Sequence, residues 1–254
     1  MSGRKWYEWL LTITYVAMVV VCVYLNLFTG QAEGIANIIV NATMFVIVLI
    51  VFLGCDRSAF FPTNRMNADL KRVTLRIRQD AQNSSNFLWE QYRATGESLF
   101  TDALLQERYG DFLREMDRIA NSGKAYIRCS TEDFINEDLT DDVMHRNLLN
   151  QVPGALTGLG ILGTFVGLSM GLQGFATGST AEITNSIAPL MSGIKVAFHT
   201  SIYGMVFSLV YSFVYKASME AVYVQLDEFL TAFNTYVVGD SYNDNESKMR
   251  ETIQ

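Results

Sequence analysis

The sequence predicts an all-α membrane protein with four transmembrane helices, a helical cytoplasmic domain between spans 2 and 3, and a long cytoplasmic extension of span 4. Long apolar runs alternate with one highly charged central block, which is typical of membrane proteins. Half of the 254 residues are apolar and the mean hydropathy is +0.17. The net charge of −7 excludes general affinity for nucleic acid.

The first two apolar runs are predicted to cross the membrane as helices. Residues 9–28 form a run of about 20 residues, long enough for the roughly 30 Å apolar core of a bilayer. Residues 35–54 form the second run. Asn37 and Asn41 lie one helical turn apart near its start, and we expect them to hydrogen-bond to another helix, a ligand being the alternative.

Basic residues predict how the chain is oriented. The two loops on one side of the spans carry no Lys or Arg, whereas six basic residues follow span 2: Arg57, Arg65, Lys71, Arg72, Arg76 and Arg78. The positive-inside rule therefore places both termini and the central block in the cytoplasm. The predicted domains are residues 1–55 (spans 1 and 2), 56–152 (cytoplasmic domain), 153–217 (spans 3 and 4) and 218–254 (extension and polar tail).

The central block, residues 56–152, is predicted to be a small helical domain. Apolar residues recur there at helical spacing, in the series Leu70, Val73, Ile77, Ala81 and in the series Leu99, Ala103, Phe112, Met116, Ile119. Residues 137–150 are expected to form one short helix. The charged residues are interpreted as a solvated face, with a docking surface as the alternative. His145 has no Cys or His nearby, so no metal site is expected.

The third apolar run carries a row of glycines on one helical face. Residues 152–175 are uncharged and long enough to span a membrane. Their glycines at spacings of 3, 4, 4 and 3 form what we call the glycine seam: Gly160, Gly163, Gly167, Gly171 and Gly174. Another helix can approach such a face closely. Thr157 and Thr164, seven residues apart, line one edge of it.

The fourth span runs from residue 193 to about 215, and its helical pattern continues to Gly239. The whole helix is expected to contain roughly 45 residues and to be near 70 Å long. Lys195 is close enough to the outer end to reach the interface. His199 lies deeper, and we expect a packed neutral histidine, with a proton-sensing role as the alternative.

The polar residues of spans 3 and 4 suggest either packing or an ion pathway. The sequence contains no usual catalytic set, so an enzyme and a cofactor are not expected. In the first interpretation the hydroxyls only bond the carbonyls four residues earlier and serve packing. In the second, Thr164 and Ser201 face each other and line a narrow polar passage. A proton relay also needs an acid at membrane depth, and these spans have none. That carboxylate is expected from another chain.

Two segments resemble the MotA/TolQ/ExbB proton-channel family. The run from Pro153 to Leu168, PGALTGLGILGTFVGL, is similar to the third-helix motif of that family. Its residues most resemble those of the ZorA membrane subunits of Zorya anti-phage systems. The run from Val196 to Met205, VAFHTSIYGM, is similar to the family's small-hydroxyl motif that ends in glycine. Four spans with a cytoplasmic block after the second also fit.

The resemblance implies a rotary motor. Members of the family form homopentamers around two copies of a single-span partner of the MotB/ExbD/TolR kind, whose transmembrane Asp carries H⁺ or Na⁺. By motif position Thr164 matches the pore threonine and Ser201 the fourth-helix hydroxyl, with Thr200 as the alternative and Thr157 farther along the pathway. The glycine seam would be the surface on which helices of one ring pack. The resemblance therefore implies that this subunit is a stator-like proton channel in the cytoplasmic (inner) membrane of a bacterium.

One feature departs from the resemblance. ZorA subunits usually continue beyond span 4 into a very long helical tail, whereas this sequence ends about 15 residues after Gly239. The alternatives are a shortened chain or a compact relative with another output, such as a flagellar, Tol or Exb type of motor. Two readings of another class also remain, a passive membrane scaffold and a self-contained channel or transporter. The lack of an intramembrane acid and of internal repeats weakens the second.

Overall fold

The structure is a computed structural model that describes residues 6–27, 35–83, 88–95, 99–121, 129–176 and 178–238. All regular structure in these ranges is helical, which confirms the all-α prediction. The α-helices are α1 (Trp6–Leu27), α2 (Ile35–Cys55), α3 (Phe61–Asn83), α4 (Trp89–Thr95), α5 (Ala103–Asn121), α6 (Glu137–Met144), α7 (Arg146–Leu149), α8 (Val152–Gln173) and α9 (Thr180–Ala232). The predicted end of the last helix at Gly239 and the polar tail lie outside the described residues.

Three helical stretches are long and apolar enough to cross a membrane. They are Asn37–Asn83, Arg146–Gln173 and Thr180–Val238. The apolar stretch Trp9–Leu25 within α1 is shorter than these three. The structure therefore supports three of the four predicted spans, and a fourth span in α1 stays a prediction.

The chain divides into two compact units. The unit that we call the apolar unit contains the described residues up to Ala59 together with His145–Ser218. The unit that we call the charged unit contains Phe60–Met144 and the described residues from Met219 onward. The predicted placement of the second unit in the cytoplasm stays a prediction.

The charged unit has a core of buried aromatic and aliphatic side chains. Leu70, Val73 and Ile77 of α3 are buried in it, as their helical spacing predicted. They pack with large side chains from α4, α5 and the end of α9, among them Tyr92, Phe100, Tyr109, Phe112, Phe229 and Phe233. The last part of α9, the longest helix, therefore contributes to this core and is held in the charged unit by side-chain packing.

Two polar groups inside the charged unit are fully paired. The carboxylate of Asp69 accepts hydrogen bonds from the backbone N–H groups of Thr101 (2.6 Å) and Asp102 (2.8 Å), and it forms an ion pair with Arg72 at 2.7 Å. The hydroxyl of Tyr92 donates to Asp80 at 2.8 Å. Burial, followed by the neighbouring Asp80 carboxylate, raises the pKa of Tyr92.

The segment before α8 differs from the sequence-based expectation. Residues 137–150 form two helices, α6 and α7, instead of one. His145 between them has φ 51° and ψ 47°, a left-handed conformation that is uncommon for residues other than glycine. Helix α6 therefore ends before His145, and α8 then begins with Pro153 in its first turn, where the missing N–H is tolerated.

Candidate ion pathway between the third and fourth predicted spans

The glycine seam of α8 packs against α9 of the same chain. A methyl group added at Gly167 would lie 2.7 Å from the backbone nitrogen of Ala197, and one added at Gly163 would lie 2.6 Å from Cβ of Thr200. Such distances are shorter than van der Waals contact, so both positions require glycine. Gly160 and Gly171 are similarly close to backbone atoms of α9, at 3.1 Å each. Four of the five predicted seam residues therefore make this contact.

Gly174, the fifth predicted seam residue, lies outside the close contact, and the helix that covers the seam belongs to the same chain. A methyl group at Gly174 would meet Cβ of Pro189 at 3.8 Å, an ordinary contact, and Gly174 is exposed. Gly174 is therefore not needed for close approach. The resemblance implied that helices of one ring pack on the seam, whereas within the chain this surface is already occupied by α9.

The facing side of α9 also consists of small residues, which were not predicted to take part in the contact. A methyl group at Gly193 would lie 2.5 Å from the Gly167 carbonyl oxygen, and one at Gly204 would lie 2.7 Å from Cα of Gly160. Gly193, Ala197, Thr200 and Gly204 follow one another at spacings of 4, 3 and 4. This spacing, which mirrors the seam, is the sequence signal that would have found them.

The register of this contact brings Thr164 and Ser201 to the same level. The helices are antiparallel, and the numbers of facing residues add up to 364 for Gly160 with Gly204, for Gly167 with Ala197, and for Gly171 with Gly193. The numbers of Thr164 and Ser201 add up to 365. Their levels therefore agree to within the rise of one residue, about 1.5 Å.

Hydrogen bonds show that these two residues also share one side of the helix pair. The carbonyl oxygen of Pro153 accepts from Oγ1 of Thr157 (3.1 Å) and from Oγ of Ser208 on α9 (2.9 Å). Thr164 is seven residues after Thr157 and Ser201 is seven before Ser208. Seven residues are nearly two full turns, so each returns to the same face. We call Thr157, Thr164, Ser201 and Ser208 the hydroxyl edge.

The hydroxyls of this edge differ in their bonding. Oγ1 of Thr164 donates to the carbonyl of Gly160 at 3.0 Å, and Thr157 donates to Pro153 in the same way, four residues back. These two bonds agree with the packing interpretation, but each oxygen keeps its acceptor lone pairs. Ser201 is half-buried, and its hydroxyl has no hydrogen bond among the described residues. Ser201 is therefore the hydroxyl with the most unused bonding capacity.

Thr200, the alternative pathway residue, points into the seam instead. Its side chain is fully buried and fills the space left by Gly163. Oγ1 donates to the carbonyls of Val196 (3.0 Å) and Ala197 (3.1 Å) on its own helix. The side chain of Thr200 is therefore enclosed between two helices of one chain, whereas Ser201 is half-buried; which of the two serves an ion stays a prediction.

A sequence model of the family described as "Anti-phage protein ZorA, Zorya type I system" matches residues 22–247. The chain belongs to this ZorA family. It is similar to the Zorya protein ZorA of Escherichia coli O139:H28, with 25% identity over 230 residues that cover 86% of the chain and 31% of the relative. It is also similar to the Zorya protein ZorA of Escherichia coli strain Crooks, with 44% identity over 62 residues, covering 24% of the chain and 11% of the relative. The chain spans less than a third of the length of these relatives.

The two helices of this ZorA-family chain provide hydrogen bonds but almost no charge. Helix α8 contains no Asp, Glu, Lys or Arg. Between Glu182 and Lys216, the only such residue of α9 is Lys195. Within the described ranges no cluster of three or more His, Cys, Asp or Glu side chains that would hold a metal was found. The hydroxyl edge of the ZorA-family chain can therefore solvate an ion or bond a carboxylate, but it cannot itself carry the charge.

Proposed function

We propose that this chain is the channel-forming subunit of an ion-driven rotary motor in a Zorya-type anti-phage system. Five copies surround a single-span partner whose intramembrane Asp carries the ion past the hydroxyl edge. The single observation that carries the proposal is that Thr164 and Ser201 lie at one level on one side of α8 and α9. Membership of the ZorA family, together with the names of its two relatives, supports the anti-phage setting.

The chemistry of the hydroxyl edge fits a carboxylate that changes its charge. A threonine or serine hydroxyl accepts a hydrogen bond from a protonated acid and donates one to an ionised acid. It therefore serves both states of an Asp on a partner helix without being ionised itself. Placing an Asp in the apolar part of a membrane costs free energy unless such groups hydrogen-bond to it. The Asp of the partner is therefore expected to stay beside the hydroxyl edge.

The membrane potential supplies the energy in this proposal. One elementary charge that crosses 100 mV releases about 2.3 kcal/mol. By the relation between free energy and equilibrium constant, this biases a conformational step by about fiftyfold. Turning of the ring against the partner then follows from repeated steps. The proposal takes H⁺ as the ion, with Na⁺ as the alternative.

The test measures ion flux through the full chain reconstituted in lipid vesicles with the single-span protein encoded beside it. An inside-negative potential is imposed, and the internal pH is followed with and without sodium. Thr164→Val and Ser201→Ala keep the size of the side chain nearly unchanged and remove its hydroxyl. We expect each to lower the flux at least about tenfold and to abolish protection of cells against phage, because a hydrogen bond to a charged group is worth about 1.5–3 kcal/mol and about 1.4 kcal/mol corresponds to a factor of ten.

Thr184→Val is the matched control. Thr184 is an exposed threonine of α9 whose hydroxyl also donates to the carbonyl four residues back, at 2.8 Å. This variant loses the same kind of bond outside the hydroxyl edge, and its flux is expected to stay normal. Normal flux in both edge variants would contradict the ion pathway. Phage protection that survives a collapsed membrane potential would instead favour a passive scaffold.

A further inference from the structure

A second polar site lies in the apolar unit, on α2. The side chain of Asn41 is only 2% exposed, yet neither Oδ1 nor Nδ2 has a hydrogen-bond partner among the described residues. Its neighbour Asn37 is paired, since Nδ2 donates to Oγ of Ser192 at 2.6 Å. The expectation that both asparagines bond to another helix is therefore met by Asn37 and not by Asn41. A buried amide with both polar atoms unpaired is rare and requires an explanation.

A second unpaired atom belongs to His199 of α9. Its Nδ1 is buried and has no partner among the described residues, while its ring lies 6.2 Å from the ring of Tyr203. His199 is separated from Ser201 by two residues, about 200° around the helix, so it faces away from the hydroxyl edge. The proposed ion pathway therefore does not use this histidine.

Two observed contacts bracket Asn41 and His199 and put them at the same level. On one side is the hydrogen bond between Asn37 and Ser192. On the other side the rings of Phe45 and Tyr203 lie 5.2 Å apart. Both contacts connect α2 to α9, and residue numbers increase along both helices from the first contact to the second, so the helices run parallel. Asn41 is one turn before Phe45, and His199 is one turn before Tyr203.

From this geometry we infer that Asn41 and His199 together bind a water molecule between α2 and α9. A buried water typically makes about three hydrogen bonds to otherwise unpaired polar atoms. The three unpaired atoms are Oδ1 and Nδ2 of Asn41 and Nδ1 of His199. A single water that donates to Oδ1, accepts from Nδ2 and bonds Nδ1 gives each of these atoms one partner. A metal ion does not fit, because an amide and a single imidazole are too few ligands for a zinc site.

The bound water would fix which nitrogen of His199 carries its proton. In a neutral imidazole one nitrogen donates and the other accepts, and the partner of Nδ1 decides between the two forms. Through the water, Asn41 therefore acts as a positioning residue for His199. The inference does not depend on the proposed motor, since it concerns contacts inside one chain.

Solid-state NMR of the full chain in lipid bilayers tests the inference. The sequence contains two histidines, so ¹⁵N-histidine labelling gives two imidazoles, and exposed His145 is an internal reference for contact with water. Transfer of magnetisation from water to the His199 ring is the measured quantity. We expect clear transfer in the unmodified chain. Its absence there would overturn the inference, and it would indicate a direct bond from the Asn41 amide or a dry site.

Variants of α2 show whether Asn41 holds that water. Asn41→Leu is expected to lower the transfer to His199 several-fold, whereas Thr43→Leu, on the exposed side of the same helix, leaves it unchanged. Asn41→Ser keeps a polar group and leaves more room, so it retains the transfer even if the leucine variant does not fold. Unchanged transfer in a folded Asn41→Leu protein, or loss in Asn41→Ser, would overturn the inference.

Discussion

The hydroxyl of Ser208 donates a hydrogen bond across 2.9 Å to the carbonyl oxygen of Pro153. This bond joins the middle of α9 to the first turn of α8 and fixes the side on which the hydroxyl edge lies. We expect Ser208→Ala to lower the free energy of unfolding by about 1 kcal/mol, because a typical intramolecular hydrogen bond contributes that much. Thermal unfolding in mild detergent measures the loss, with Ser169→Ala, on an exposed position of α8, as the control. Equal melting temperatures of the Ser208→Ala variant and the unmodified chain would mean that this bond does not stabilise the packing of α8 against α9.

The glycine seam gives a prediction with a matched pair of variants in one helix. Gly167→Ala places a methyl group 2.7 Å from a backbone nitrogen that cannot move aside, whereas a methyl group at Gly158 meets nothing within 4 Å. We expect Gly167→Ala to destabilise the fold by about 1–3 kcal/mol through overpacking. Gly158→Ala is expected to be neutral or stabilising by up to about 1 kcal/mol, since alanine favours helix. Chemical unfolding in detergent compares the two, and equal stabilities would contradict the seam.

Thr200 and Ser201 are adjacent, but we expect truncation of Thr200 to lower the stability of the fold and truncation of Ser201 to lower the ion flux. Thr200→Ala removes a buried side chain that fills the space at Gly163, so stability falls by about 1–2 kcal/mol as in other buried truncations. Ser201→Ala leaves stability nearly unchanged but removes ion flux in the vesicle assay. Thermal unfolding and flux are measured on both variants. If Thr200→Val, which keeps the packing volume, loses the flux while Ser201→Ala retains it, the pathway residues have been assigned in the wrong order.

A pH dependence follows from Tyr92 in the charged unit. Burial and the bond to Asp80 raise its pKa above the ordinary value of 10.0, so the folded state keeps the phenol proton where the unfolded state loses it. The stabilising effect is complete below pH 10 and is lost as the pH rises above that value. Unfolding of the full chain in detergent at a series of pH values from 8 to 11 measures the decrease.

The Tyr92→Phe variant separates this residue from the other tyrosines. It is expected to lose about 1 kcal/mol at pH 8, because the bond to Asp80 is absent, and to show a shallower decline above pH 10. Part of the decline remains, since burial also raises the pKa of Tyr109. A decline as steep as that of the unmodified chain would show that Tyr92 is not the group responsible.

Helical periodicity was sufficient to predict much of this fold. The spacing of Leu70, Val73 and Ile77 identified a buried face, and the spacing of the seam glycines identified a face for close packing. Periodicity describes one helix at a time, however, and does not name the helix that will cover a face. The matching spacing of Gly193, Ala197, Thr200 and Gly204 indicates a second close-packing face, but spacing alone does not show that this face covers the glycine seam.

Two other features depend on tertiary contacts or on backbone conformation. Asn37 and Asn41 are identical in type and share a helical face, yet one is paired and the other is not, which depends on the side chains that α9 places opposite them. The break at His145 requires a positive φ in a residue that is not glycine, for which the sequence contains no signal. Both were beyond reasoning from residue type and spacing.

The contact between main-chain atoms of α8 and α9 has a consequence for work with the isolated protein. Lipid tails are as apolar as leucine, so hiding apolar surface does not hold two helices together inside a bilayer. The close approach of the two main chains, which leaves no room for a methyl group at Gly167, Gly193 or Gly204, gives dispersion contacts that do not depend on the surrounding medium in this way. We therefore expect α8 and α9 to remain packed against each other when detergent replaces the lipid around the protein.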